Sequence, residues 1–302
     1  MAVLAFIILL VFAPFYSDGQ TVSDPDFKVK LTSPLYPHSN GPLLLYDQYH
    51  YNAFSLSGQY KGFADVVQAE GYRLRAYKAA IERDVLSQAD VFVTVNALSH
   101  PSHWDLPNTS VYREEEIETL YRWVHDEGGS LLIITDQMPS AGAVSSLAAR
   151  FGFNLINGFT HRVDGQPELF TREIGNLLPS PVTDRKGREV HHLRCWGGSG
   201  FIPPEEAKVF AVLGEAYRIY LPSKIKDTEM AIRNDMPYIM GNNLANGALL
   251  NCGKGRICIF SDASSFTALL KGINSEKIGM NHPDGKDQIF LLLNVLEWLS
   301  QP

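Results

Sequence analysis

Long basic tracts are missing from this chain, where no more than two Lys or Arg residues adjoin. No run of Lys or Arg appears, and 33 acidic against 26 basic residues leave a formal net charge of -7 with a pI near 5.7. Nucleic acid and anionic membrane surfaces require basic patches, so neither is an expected partner. Cysteine is scarce too, with three residues in 302. Cys252 and Cys258 flank a tight Gly253-Lys254-Gly255 turn and so sit on neighbouring strands, but few hairpin positions satisfy disulfide geometry. Two buried thiols acting as small hydrophobes are expected, with Cys195 left as a free thiol. A Ser-His-Asp triad can be drawn from Ser261, His50 and Asp47, but no G-x-S-x-G elbow surrounds Ser261. No Gly-Lys-Ser/Thr follows Gly197-Gly198-Ser199-Gly200, so these glycines are expected to serve a turn rather than a phosphate cradle. No internal repeat or low-complexity tract stands out, and 45% hydrophobic with 20% charged residues fits a soluble globular protein with a sizeable core.

One long apolar stretch opens the chain. Ala2 to Phe15 is almost entirely apolar, yet shorter than the roughly 20 residues of a spanning helix. Ser17-Asp18-Gly19 offers a small-x-small cleavage site that would leave Gln20 as the mature N-terminus. No Lys or Arg precedes the run, unlike the usual signal peptide, so an uncleaved N-terminal anchor is the competing reading. No cysteine follows it to carry a bacterial lipoprotein anchor. The expected location is therefore secreted or periplasmic, with membrane contact only through an uncleaved N-terminal segment. Asn108-Thr109-Ser110 is a glycosylation sequon, meaningful only in a eukaryotic host.

Four further apolar runs each stop on a polar side chain: Leu43 to Asp47, Val91 to Asn96, Leu131 to Asp136 and Ile257 to Asp262. Continuous runs of this length suit parallel strands covered on both faces, and open sheets of that kind bind ligands beyond the carboxyl ends of their strands. Asp47, Asn96, Asp136 and Asp262 are thus expected to converge on one cleft. Between them lie helical stretches. Phe63, Val66 and Val67 form one stripe, closed by Gly71; Glu114 to Asp126 carries acids in its first turn and an apolar face of Ile117, Leu120, Tyr121 and Val124. Tyr72 to Tyr77 reads as a strand, Asp84 to Ala89 as a short helix, and Ala143 to Phe151 as a helix closed by Gly152. Val190–Arg194, Val209–Leu213 and Tyr217–Tyr220 read as an antiparallel extension of the same sheet, and Asp287 to Ser300 as a final helix.

The chain resembles the class I glutamine amidotransferase-like superfamily, in the DUF4350 branch related to the GIFT domains of an intraflagellar transport protein. The resemblance rests on Asp47-Gln48-Tyr49-His50-Tyr51-Asn52, Tyr60-Lys61-Gly62-Phe63-Ala64-Asp65 and Asp136-Gln137-Met138-Pro139-Ser140-Ala141-Gly142. Ser261-Asp262-Ala263, Gly279-Met280-Asn281 and Phe290 to Leu296 support it. It covers nearly all of the chain after residue 40. Amidotransferases place a Cys nucleophile on a sharp strand-to-helix elbow, where this chain has Thr135-Asp136-Gln137-Met138-Pro139 and no cysteine, so glutaminase chemistry by that route is excluded. Relatives carry His where Gln137 stands, and an amide does not titrate. The expected fold class is α/β, doubly wound and flavodoxin-like, with a mostly parallel sheet and an antiparallel extension. Residues 1–19 form the signal peptide or anchor, 20–40 an irregular lead-in, and 41–302 a single domain.

Two functions follow from the polar strand ends. In the first, the cleft binds a small polar ligand of carbohydrate type without turnover. Asp47, Asn52, Asn96, Gln137 and Asp262 then bind hydroxyls, while Trp104 in the His100–Trp104 loop, or nearby tyrosines, stack on the ring. In the second, Asp47, His50, Asp136 and Asp262 hold a divalent metal that activates water for hydrolysis of a sugar, ester or amide, with Asp136 and His50 as the catalytic pair. His50 can also act as a general base oriented by Asp47. The structural alternatives are loop caps for Asp47 and Asn52 and a helix cap for Asp136.

Overall fold

A computed structural model describes residues 21–230 and 236–301; the segment read as signal peptide or anchor lies outside the described residues. β1 (Leu43–Asp47), β3 (Val91–Val95) and β4 (Ser130–Ile134) are buried at every position, and β2 (Arg73–Tyr77) lies at the sheet edge. β5 (Ala245–Cys252) and β6 (Gly255–Phe260) form a hairpin that returns to this core. The spatial order β2-β1-β3-β4-β6 is parallel throughout, and β5 adds on antiparallel to β6. The protein is α/β, with a mixed main sheet whose parallel half is followed by antiparallel strands.

Successive strand residues point to opposite faces, so each buried strand must feed two cores. Leu44, Tyr46, Val93 and Leu132 pack with Phe63 and Val66 of α1 (Lys61–Ala69) and with Leu292 and Leu296 of the C-terminal helix Lys286–Leu299. Leu45, Phe92, Leu131 and Ile133 pack with Leu120, Trp123 and Val124 of α2 (Glu114–His125). This demand explains why the strands read as continuous apolar runs. Gly71 follows α1 at φ +92°, and a Cβ there would lie 1.6 Å from the Tyr36 carbonyl oxygen.

Three expectations are corrected. The antiparallel extension is smaller than expected: Phe201–Ile202 and Lys208–Val212 pair with β5, but His192–Arg194 pairs with Leu169–Thr171 alone. Tyr217–Tyr220 belongs to a separate sheet with Phe159–Arg162 and Tyr238–Met240. The register of Lys208–Val212 shifts twice between Val209 and Val212, and such bulges bend a strand, so the chain that follows pairs elsewhere. The helix expected over Ala143 to Phe151 is two short pieces, Ser140–Ala143 and Ser145–Arg150, meeting at Val144. The lead-in is not wholly irregular, because Thr21–Ser23 pairs antiparallel with Ala268–Lys271. In the hairpin, Cys258 lies opposite Leu249 and Cys252 opposite Gly255, so all three cysteines are free thiols. In denaturant without reductant, three thiols per chain are expected to react with a chromogenic disulfide reagent; a count of one would mean a bridge.

Candidate functional site

β1 is flanked by β2 on one side and β3 on the other, so the chain leaves it in opposite directions and opens a crevice at the carboxyl ends. Asp47 closes β1 with no exposed surface. A buried carboxylate needs several donors. Oδ1 accepts from the Tyr49 and His50 backbone N–H groups at 3.0 and 3.4 Å; Oδ2 pairs with His50 Nδ1 at 2.8 Å and accepts from the Tyr112 hydroxyl at 2.7 Å. With Nδ1–H turned to Asp47, Nε2 becomes the outward atom of His50. It lies 3.3 Å from Glu116 Oε1 without the alignment of a hydrogen bond, and has no other partner.

Glu116 sits in the first turn of α2 and reaches back to the Arg113 N–H at 3.1 Å, one half of a capping box. Its other oxygen accepts from the Ile81 N–H at 3.0 Å. Burial opposes its ionisation, but the Arg113 guanidinium, these two N–H groups and His50 outweigh it and hold the carboxyl below the ordinary glutamate value. Burial, and then the Asp47 carboxylate, push the Tyr112 phenol well above its usual range. Tyr49, His50, Tyr51, Ser99, Arg113 and Glu116 line an open pocket of about 450 Å³, to which Tyr49 and Tyr51 present half-exposed rings.

A second group lies at the ends of β4 and β6. Asp136 keeps an open edge but is otherwise enclosed; its Oδ1 accepts from the Gln137 N–H at 2.9 Å, and Asn96 donates to it from β3. Asp262 is fully buried, accepting from the Trp196 N–H at 2.6 Å and capping a short turn through the Ser265 N–H at 3.1 Å. Glu168 accepts from the Gly197 N–H at 3.1 Å. Burial, followed by the Asp262 charge, pushes Asp136 up to about 7 and Glu168 up to about 8; burial also raises Asp262. The segment that crosses them turns at Gly198, φ +89°, where a Cβ would fall 1.8 Å from the Ser261 carbonyl oxygen.

The expected residues thus divide. Asp47 and His50 belong to the first group and Asp136, Gln137 and Asp262 to the second, with Asn96 reaching Asp136 from the intervening strand. Asn52 supports the loop, its side-chain oxygen accepting from the Val95 N–H at 2.9 Å. Asp47, His50, Asp136 and Asp262 do not form one metal-ligand set: among the described residues no three His, Cys, Asp or Glu side chains gather as a metal ion would need. Strands β1, β3, β4 and β6 intervene in turn, and each step across a sheet is about 4.8 Å. Trp104 and His103 line a different pocket, with Ile225. Sequence reasoning missed Glu116, Tyr112 and Glu168. Glu116 carried the one available signal, an acid three residues after the helix N-cap.

No family model matches the chain, and no curated protein matches it. Among solved structures it is similar to the mmIFT52 N-terminal domain, at 12% identity and TM-score 0.61 over 86% of this chain and 98% of that one. It is also similar to the cytoplasmic protein STM3548 from Salmonella typhimurium, at 13% identity and TM-score 0.50 over 86% and 100% of the two chains. A thua-like protein from Bacteroides uniformis follows at 12% identity and TM-score 0.47, over 87% and 95%. Likeness at such identities is a likeness of fold.

Two outcomes are expected. The folded state holds protons on Asp136 and Glu168 that the unfolded chain has released, so their contribution to stability is full below about pH 4 and is lost as pH rises through 7 to 8. Thermal melts should show Asp136→Asn flattening the fall in Tm between pH 5 and 8; an unchanged slope would count against the raised pKa. Gly198→Ala should cost about 2–4 kcal/mol by chemical denaturation, since it adds a left-handed backbone penalty to a steric clash.

Proposed function

We propose that this chain is an exported domain of the class I glutamine amidotransferase-like superfamily, in the DUF4350 and GIFT-like branch, that binds a small polyhydroxylated ligand of carbohydrate type without turning it over. The reading of the parallel half as doubly wound and flavodoxin-like rests on the order β2-β1-β3-β4-β6. Export is read from the N-terminal apolar segment, whether removed or kept as an anchor.

One observation carries the ligand reading. His50 is 5% exposed, its Nε2 has no hydrogen-bond partner, and it lines a pocket rimmed by the exposed rings of Tyr49 and Tyr51. Nε2 lies 3.3 Å from Glu116 Oε1 but out of line with it, and a buried polar atom without a hydrogen bond is costly unless a guest supplies one. Aromatic faces suit the C–H faces of a sugar, and His50, Ser99 and Arg113 offer hydroxyl partners around it. Asp136 and Gln137 lie beyond the end of β4, on the far side of β3 from this pocket.

The chemistry of the alternatives is less well supplied. Among the described residues no donor set for a metal is assembled. Cys195 lies beside Asp262 rather than on the elbow, and burial and that carboxylate push its thiol up, away from the nucleophilic thiolate.

Calorimetry against a panel of neutral mono- and disaccharides and sugar acids, with product analysis, tests the reading. Binding at millimolar affinity or better is expected, weakened at least tenfold by His50→Ala and by Tyr49→Ala/Tyr51→Ala, with no new product. Equal binding by the wild type and both variants, or turnover of any sugar, would sink it.

A further inference from the structure

The small sheet at the start of the described chain sits beside the one fully exposed isoleucine among the described residues. Thr21–Ser23 runs antiparallel to Ala268–Lys271, and Thr21 lies directly opposite Lys271. Lys271 leads into the hairpin tip Gly272-Ile273-Asn274-Ser275, where Ile273 has 103% relative exposure. Cross-strand partners share a face, so Val22, Leu270 and Lys277 form one row. In that row Val22 is half exposed, Leu270 partly buried and Lys277 exposed. An exposed isoleucine at the tip, with the exposed Lys277 on the strand that follows, joins an aliphatic side chain to an ammonium, a mixture that settles at a bilayer surface.

The sequence says what surface is at hand. Only Tyr16 to Gln20 separate the apolar stretch Ala2 to Phe15 from Thr21, a reach of about 20 Å at full extension. Whatever holds that stretch therefore also lies within about 20 Å of Thr21, on the edge where the hairpin tip projects. The stretch falls short of the roughly 20 residues of a spanning helix, and a second point of contact strengthens a short membrane attachment, as it does for a single acyl chain.

We propose that the hairpin tip led by Ile273 is that second attachment, resting on the bilayer that receives Ala2 to Phe15. The net charge of -7 makes a zwitterionic surface the matching one, with Lys277 contributing locally.

The test uses the full chain with phosphatidylcholine vesicles. In a Cys252→Ser background, Ile273→Cys carries an environment-sensitive fluorophore, with Ile202→Cys as the control; Ile202 is also exposed but is carried by the main sheet. The 273 probe is expected to shift to the blue on vesicles and to be quenched by brominated chains, while the 202 probe stays as in buffer. Ile273→Asp should lower co-flotation at limiting lipid at least fivefold with an unchanged melting temperature. A 273 probe that behaves alike on vesicles and in buffer overturns the proposal. So does a chain recovered from its host membrane fraction without residues 1–19.

Discussion

A carboxylate with no exposed surface governs the site end of this fold. Asp47 is tied by four donors, two from the backbone of the following loop, one from an imidazole and one from a phenol. Removing any one leaves charge facing low dielectric, which is far costlier than a surface hydrogen bond is worth. The loop after β1 therefore cannot relax independently of His50, nor His50 of Tyr112. Tyr112 in turn is held by Thr94 in β3 at 2.8 Å, so the network joins the two strands at the switch point as well as the loops above them. Rigidity at this crevice is a consequence of satisfying one buried ion.

The two polar groups at the strand ends handle charge in opposite ways. Around His50, acids alternate with an imidazole and a guanidinium, and Glu116 stays ionised despite burial. Around Asp262, burial comes first and the Asp262 charge second in raising Asp136 and Glu168, with Arg194 as the cation that favours ionisation of Glu168. The difference follows from where the cations sit. Arg113 is placed by the helix start that Glu116 itself caps, whereas Arg194 has no carboxylate hydrogen-bonded to it among the contacts that hold Glu168.

Much of this was legible from residues alone, for a physical reason. Strands buried on both faces cannot be built from anything but apolar runs, so β1, β3, β4 and β6 announce themselves, and the polar residue that ends each one marks the crevice. α2 was legible from its acids and its apolar face. Glu116, though, reads like its neighbours Glu114 and Glu115 as a residue that complements the helix dipole. Only three dimensions reveal that it turns inward to His50. Glu168 and the strands Phe159–Arg162 and Leu169–Thr171 were out of reach because such short strands carry no period, and Val190–Arg194 and Tyr217–Tyr220 read as strands without their partners being legible. Their partners are set by bulges and glycine turns such as Gly198, whose need for a bare backbone comes from Ser261, more than sixty residues away. The metal set failed for a related reason: strand ends that share a cleft in principle are separated by whole strands in practice.

The turn after β4 places an acid, Asp136, and an amide, Gln137, just ahead of a short helix. A nucleophilic thiolate there would need its negative charge stabilised by helix N–H groups. Here the following helix is only four residues long, and Ser140 Oγ accepts the Asp136 N–H at 3.1 Å, so one of the local donors is already used. Burial and Asp262 then favour the protonated acid at Asp136. A carboxyl near its pKa at neutral pH can both donate and accept, and the Gln137 amide beside it does the same without titrating. Such a pair is better matched to the paired donor and acceptor character of hydroxyl groups than to a step that requires a full charge. The same argument makes the His50 pocket and the elbow complementary, because one offers fixed charges and aromatic faces and the other offers neutral groups of either polarity.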